Sequence, residues 1–203
     1  MQNDMLVIAG ELIAKTREVS RHEAAHFIIA FAQGFQSKGV SAHIGLSAHR
    51  GKSYSIEASR CESLEQLQDY MRRRITILLA GAMGEALVPE TLKLDARAAM
   101  KILEEGDTGA GQDYAIAKEL IQMIHCSMPQ KKDDSTGKAL TSRDLLCDSL
   151  GKTWTLVHLN ATSICQLAQA VEVGVIANQG KYELFEEDIY TLQLFNPIPS
   201  HSS

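Results

Sequence analysis

Apolar residues recur at helical spacing over the first part of the chain, from residue 6 to residue 33. Gly34 is a natural stop for this predicted helix, and we expect a break in it near residues 16 to 20. From Ala24 to Ala32 the segment is apolar nearly all round, which predicts that this part of the helix is buried.

The next segment has the two-residue period of β-strands. Residues 40 to 48 and 54 to 58 place apolar side chains at every second position, and His49-Arg50-Gly51-Lys52 between them has the composition of a turn. The pattern predicts a β-hairpin with one buried face. Its apolar positions are Val40, Ala42, Ile44, Leu46, Ala48, Tyr54, Ile56 and Ala58.

A second long helix is predicted from Ser63, with Gln66 as the partner in a capping box. Its inward stripe is Leu64, Leu67, Met71, Ile75 and Leu78. The helix runs into a segment of small residues at 80 to 86, where another helix can approach closely. We therefore expect Glu85 to lie at a packed site.

The remainder of the chain is predicted to be helical. The expected helices cover residues 95 to 105, 112 to 125, 152 to 173 and 186 to 192. We expect a flexible lead at 106 to 111, an exposed loop at 129 to 142 and a flexible tail at 196 to 203. The fold class is then mainly α with a small β-hairpin, in a single domain over residues 1–203.

Composition narrows the class of protein. The chain has 203 residues, of which 45% are hydrophobic and 22% charged, as in a soluble globular protein. A net charge of -5 without a concentrated basic block argues against nucleic acid as a partner. The four cysteines show no C-x-x-C spacing, and no apolar run approaches the roughly 18 residues of a membrane span. We expect a cytoplasmic protein.

The buried part of the first helix contains His22-Glu23-Ala24-Ala25-His26, an H-E-x-x-H pattern. Residues four apart share a helical face, so the two imidazoles can hold one metal ion while Glu23 reaches a water on it. Two other interpretations stay open. Ser20 and Glu23 match a capping box, and the histidines can be buried side chains that bond to their neighbours.

A catalytic zinc site needs a third protein ligand. The two sources in this sequence are Glu85 and Asp113, and spacing alone does not choose between them. Asp113 is also explained as an acid near a helix start, where the macrodipole favours negative charge, and Glu85 as an exposed side chain.

Three blocks of sequence, in order, resemble the peptidase domain of the FtsH-type ATP-dependent zinc proteases. Residues 21–26, R-H-E-A-A-H, resemble the family's H-E-A-G-H helix, and residues 75–85 resemble its glycine-rich G-R-x-A-E-E helix. Residues 108–113, T-G-A-G-Q-D, are similar to its T-G-A-x-N-D segment. The hairpin and the long C-terminal helix also fall where the family has them, so the similarity covers most of the chain.

The resemblance implies a zincin-like helical metallopeptidase domain with one Zn²⁺ per chain. His22, His26 and Asp113 would be the ligands, Glu23 the general base, and Glu85 a carboxylate that orients a ligand histidine. The outer strand of the hairpin would bind an extended substrate by β-augmentation. The implied activity is that of a zinc-dependent endopeptidase acting on flexible or unfolded polypeptide.

Departures from the family keep other functions open. Ala25 replaces a glycine and Gln112 an asparagine, whereas Ala82 replaces the family's arginine and Ala86 its second glutamate. The segment between Glu85 and Asp113 is also longer. We expect no AAA ATPase module or membrane anchor, so the chain is expected not to unfold a folded substrate alone. The alternatives are a catalytically silent peptide-binding or regulatory module and the proteolytic partner of a separate ATPase; a homo-oligomer also stays open.

Overall fold

The structure is a computed structural model that describes residues 2–45, 49–56, 60–106, 108–128 and 140–192, without the side chains of residues 2–9 and 54–56. Within these ranges seven helices are present: α1 (Gln2–Ala32), α2 (Leu64–Glu85), α3 (Ala96–Glu104), α4 (Gly109–Ser127), α5 (Ser142–Leu159), α6 (Ala161–Ala177) and α7 (Glu186–Thr191). The strands are β1 (Gln36–Ile44), β2 (His49–Ile56), β3 (Leu87–Val88), β4 (Lys93–Leu94) and β5 (Lys181–Phe185). The predicted mainly α class with a small antiparallel sheet is confirmed.

Helix α1 is continuous, so the predicted break near residues 16 to 20 is wrong. Thr16 Oγ1 donates to the Leu12 carbonyl at 2.7 Å, which satisfies this buried hydroxyl inside the helix. Ser20 lies in the middle of α1 and therefore cannot be an N-cap, which removes the capping-box interpretation of Glu23. The helix ends at Ala32, just before the predicted stop at Gly34, which has a left-handed φ of 79°.

The sheet has the order β2-β1-β5, with antiparallel pairs throughout. The predicted turn at residues 49 to 52 is wrong, because His49 pairs with Ile44 and Gly51 with Ala42. Charged residues are common on an edge strand, where one row of main-chain groups faces outward. Leu46, Ala48 and Ala58, which were assigned to the hairpin, lie outside the described residues.

Strand β5 is absent from the sequence prediction. It is five residues long, directly precedes α7, and only Leu184 among its side chains is buried. Five residues are too few for a clear period, and the position of the strand is set by pairing with β1.

Helix α2 begins as predicted, but its predicted inward stripe is buried only from Met71 onward. Ser63 Oγ accepts from the Gln66 N–H at 3.2 Å, while Gln66 Oε1 accepts from the Glu62 N–H at 2.6 Å. Met71, Ile75 and Leu78 are buried as predicted. Leu64 and Leu67 are 48% and 40% exposed, because the first turns of α2 extend beyond the packed core.

The helices after α2 differ from prediction mainly in their ends. Helix α3 lies within the predicted range of 95 to 105, with Asp95 as its N-cap, and α7 lies where it was predicted. Helix α4 already begins at Gly109, so the predicted flexible lead is shorter, because Thr108 Oγ1 accepts from the Gly111 N–H at 3.0 Å. The single helix predicted over residues 152 to 173 is wrong, because the segment is divided between α5 and α6 at Asn160, whose Nδ2 donates to the Leu156 carbonyl.

The predicted exposed loop at 129 to 142 ends before Ser142. Thr141 and Asp144 form a capping box that begins α5 at this residue. Residues 129–139 and the predicted tail at 196 to 203 lie outside the described residues.

Helix α1 forms the centre of the packing. One hydrophobic cluster joins α1 to the sheet and α6, and a second joins α2 to α4 and α5. Helices α1 and α2 approach closely at Gly84 of α2, where an added Cβ would lie 2.6 Å from the carbonyl oxygen of Arg21 in α1. Within the described parts of the chain, the structure contains no helix with the length and apolarity needed to cross a membrane.

Candidate metal centre

Two histidines and one aspartate converge between α1 and α4. His22 and His26 lie one turn apart on α1, and their Nε2 atoms are 2.8 Å apart. Asp113 Oδ2 lies 3.0 Å from His26 Nε2 and 3.4 Å from His22 Nε2. Both histidines are buried and Asp113 is half-buried. This group could hold a metal ion.

Each histidine is held by its other ring nitrogen. His22 Nδ1 lies 2.7 Å from Glu85 Oε1, and His26 Nδ1 lies 2.7 Å from the Ile77 carbonyl oxygen. A carboxylate and a carbonyl only accept, so both Nδ1 atoms donate and the Nε2 atoms of the neutral rings present lone pairs. Three acceptor atoms then face one another, an arrangement that is favourable only around a cation or a proton.

The donor set fits a small divalent cation. Metal–ligand distances near 2.0 Å in a tetrahedral site place neighbouring ligand atoms about 3.3 Å apart. The three separations, 2.8, 3.0 and 3.4 Å, lie around that value. Imidazole and carboxylate are also ligands that zinc takes in catalytic sites. Glu85 is not one of the three converging groups, because its carboxylate faces the far side of the His22 ring.

The electrostatics of the metal-free site place a proton among these groups. Burial by itself would lower the pKa of His22, but hydrogen bonds to Asp113 and Glu85 outweigh it and raise this pKa to about 10. Burial would raise the pKa of Asp113, but the two histidines hold it well below its usual range. At neutral pH the protonated His22 ring therefore supplies the positive charge that the cluster requires.

Uptake of a divalent metal ion at pH 7 is expected to release about one proton per ion, because the ion must displace the proton of His22. The proton competes better at low pH, so apparent affinity should fall about tenfold for each unit of pH below the raised pKa. Calorimetric titration with Zn²⁺ in two buffers of different ionisation enthalpy measures the released protons. Binding without proton release would contradict the protonated state of the His22 ring.

Glu23 lies beside this cluster and is held by the edge strand. Burial raises the pKa of its carboxyl, the nearby His26 and His22 rings act in the opposite direction, and the Ser53 N–H of β2 donates to it. Gly51 makes room for the side chain, since a Cβ there would fall 2.6 Å from Glu23 Cδ. A buried carboxylate with a raised pKa is a better proton acceptor than a free one.

Gly81 forms the floor of the site. A Cβ at this position would lie 2.6 Å from His26 Nε2 and 2.7 Å from His22 Nε2. Only glycine leaves the two rings in place. The small-residue segment of α2 indicated a close helix contact, but the roles of Gly81, Gly51 and the Ile77 carbonyl were not predicted.

A cleft crosses the site. Its larger chamber has a volume of about 910 Å³ and its smaller chamber about 270 Å³. The two chambers share the lining residues His22, Glu23, Gly51, Gly109 and Gln112. His22 and Glu23 therefore line both chambers, whereas His26 and Asp113 line the smaller one.

The geometry also weakens the simpler interpretations of the two acids. Asp113 lies beyond the first turn of α4, so the helix macrodipole does not explain it. The side chain of Glu85 is only 17% exposed and is bonded to His22, so it is not a surface residue.

Compared with models of known protein families and with curated proteins, the chain has no match in either.

Proposed function

We propose that the protein is a zinc-dependent endopeptidase that hydrolyses flexible or unfolded polypeptide. The observation that carries the proposal is the convergence of His22, His26 and Asp113 beside the buried carboxylate of Glu23. All four residues line the smaller chamber of the cleft, and His22 and Glu23 also line the larger one. The minimal set for metal-assisted hydrolysis is two histidines and a carboxylate that bind the metal, together with a second carboxylate that can accept and donate a proton.

His22, His26 and Asp113 would hold the zinc ion. When bound, zinc supplies a Lewis acid and brings the pKa of water to about 7. Glu85 and the Ile77 carbonyl fix the two imidazole rings through their Nδ1 atoms. The Glu23 carboxylate takes the proton of the attacking water and then delivers it to the leaving nitrogen of the peptide.

Substrate backbone would dock along β2. This strand has β1 as its one neighbour among the described strands, and Gly51 and Ser53 place it directly against Glu23. An extended segment can add to such an edge through main-chain hydrogen bonds, which select conformation more than sequence. A flexible or unfolded chain can supply that conformation.

The likeness to FtsH-type peptidases is part of the proposal. It rests on the three motif blocks in order, whose two histidines and aspartate lie together here. The departures Ala82 and Ala86 are both buried in the hydrophobic clusters and are not among the residues that line the cleft. They therefore give little support to a catalytically silent module. A separate ATPase would extend the same activity to folded substrates.

Purified protein is expected to carry about one zinc per chain. Asp113→Ala should lose most of it, because one of the three ligands is removed, whereas Glu85→Ala should weaken zinc affinity by about 10- to 100-fold. Metal analysis and competition with a chromogenic chelator give these values. Cleavage of casein should stop on chelation and return with added zinc.

Retention of stoichiometric zinc by Asp113→Ala would contradict the assigned ligand. If peptides bind the cleft but no substrate is cut by the zinc-loaded protein, the silent module replaces the peptidase. Cleavage that rises only when a co-purified ATPase and ATP are added would support the partnership.

A further inference from the structure

The two chambers of the cleft meet at five residues that line both of them: His22, Glu23, Gly51, Gly109 and Gln112. The two glycines have no side chain to offer a ligand. The His22 ring is bonded to Glu85, and the carboxyl of Glu23 accepts from the Ser53 N–H. Gln112 is therefore the one shared residue whose polar side chain has no hydrogen bond to any described residue.

Gln112 is presented to the cleft by the beginning of α4. Its N–H donates to the carbonyl of the N-cap residue Thr108 at 3.0 Å, which fixes its main chain. The next residue, Asp113, has its carboxylate 3.0 Å from His26 Nε2. Gln112 itself is exposed. An amide side chain on a fixed main chain is thus held beside the metal-ligating cluster and is open to a ligand in the cleft.

An extended peptide docked on β2 would leave half of its main-chain polar groups without a protein partner. The N–H and C=O groups of a strand point alternately to its two sides, and an edge strand takes those on one side only. Gly109 and Gln112 of α4 line the smaller chamber together with Gly51 and Ser53 of β2. In a chamber of about 270 Å³, the far side of the peptide would therefore lie against α4. Main-chain groups shielded from water need hydrogen-bond partners there.

We propose that the Gln112 carboxamide binds the substrate main chain on the side away from β2. Its Nε2 donates to the C=O of one substrate residue and its Oε1 accepts from the N–H of the same residue, since a side-chain amide carries donors and an acceptor together. This inference rests on the proposed function for the docking of substrate along β2. With β2 on one side and Gln112 on the other, the cleft selects an extended main chain with intact amides, whatever its side chains.

A peptide anchored at the zinc ion tests this contact. A tetrapeptide that ends in a hydroxamate chelates zinc through that group, which fixes the position of the peptide in the cleft. Calorimetric titration measures its binding to zinc-loaded wild-type protein and to zinc-loaded Gln112→Ala. The variant is expected to bind about two- to tenfold more weakly, the usual effect of losing one or two hydrogen bonds. Gln112→Met, which has similar length but no amide, should show the same loss.

Single N-methyl groups on the tetrapeptide locate the bond. At one position, methylation should weaken binding to the wild-type protein but have no further effect on Gln112→Ala, because the partner of that N–H is already absent. In cleavage assays the same variant should raise KM and leave kcat nearly unchanged, as for a contact made equally before and during the reaction.

Two controls separate this contact from damage to the metal site. Acetohydroxamate, which has no peptide part, should bind Gln112→Ala as tightly as it binds the wild-type protein. Gln122→Ala changes an exposed glutamine on the same helix, whose Nε2 lies 3.5 Å from Cys126 Sγ and which lines neither chamber. It should leave the affinity for the tetrapeptide unchanged.

Several results would overturn the inference: wild-type affinity of the tetrapeptide for Gln112→Ala or Gln112→Met, an equal loss for acetohydroxamate, or N-methyl effects that are the same in both proteins. Failure of the proposed function is distinguishable. Protein that cuts casein but shows no coupling between Gln112 and a substrate N–H remains a peptidase, and the role of Gln112 is then wrong. Coupling in a zinc-loaded protein that cuts nothing supports the contact and rejects the peptidase.

Discussion

Glu23→Gln is expected to retain zinc and to lose cleavage of casein by about 10²- to 10⁴-fold, the usual contribution of a general base. The amide matches the carboxylate in shape and still fits against Gly51, so the fold and the metal ligands stay in place. It cannot accept the proton of water. Metal analysis and initial cleavage rates at matched zinc occupancy check both parts.

The control for this variant is Glu18→Gln, which makes the same chemical change on the same helix at a half-exposed residue of the cleft wall. Its cleavage of casein should stay within a few-fold of wild type. Unchanged cleavage in Glu23→Gln would remove the proposed role of Glu23. Loss of zinc in this variant would mean that the carboxylate acts on the metal site and not on the proton.

Gly81→Ala is expected to abolish high-affinity metal binding, although it adds one methyl group to a helix. The added Cβ would fall between the two rings, 2.6 Å from His26 Nε2 and 2.7 Å from His22 Nε2, well inside ordinary contact distance. The rings must rotate away, and His22 would lose its hydrogen bond to Glu85. Zinc affinity, measured by chelator competition, should fall by about 100-fold, the upper end of the range for loss of a ligand's positioning.

Gly151→Ala separates this steric effect from the general effect of alanine in a helix. Gly151 lies in α5 and an added Cβ meets no atom within 4 Å. This control should keep full zinc affinity and gain about 0.5–1 kcal/mol in free energy of unfolding, because alanine restricts the unfolded chain more than glycine. Wild-type zinc affinity in Gly81→Ala would contradict the described arrangement of the rings.

The side chains with proposed chemical roles in the site could be predicted from the sequence. The i, i+4 spacing of His22 and His26 places both rings on one face of any helix, whatever the rest of the fold does. The order of the three motif blocks nominated Asp113 and Glu85, and the structure brings both to the histidines. Their roles as ligand and orienting group remain predictions.

The residues that surround these side chains were harder to predict, because their positions depend on which helices and strands contact one another in the fold. The Ile77 carbonyl is a main-chain group that every residue type possesses, so no sequence signal distinguishes it. Gly51 was assigned to a turn because glycine is common there, whereas tertiary contact with Glu23 is the reason for a residue without a side chain. Strand β5 exists because β1 offers a partner, a long-range contact that local periodicity does not contain.

The three metal-ligating residues lie on helices that pack in different hydrophobic clusters, and this affects the cooperativity of unfolding. His22 and His26 belong to α1 of the first cluster, and Asp113 belongs to α4 of the second, 87 residues away from His26 in the chain. An ion bound by all three would act as a cross-link between the two halves of the core. Loaded protein would then unfold in one transition, and the ion would leave only when both halves open together.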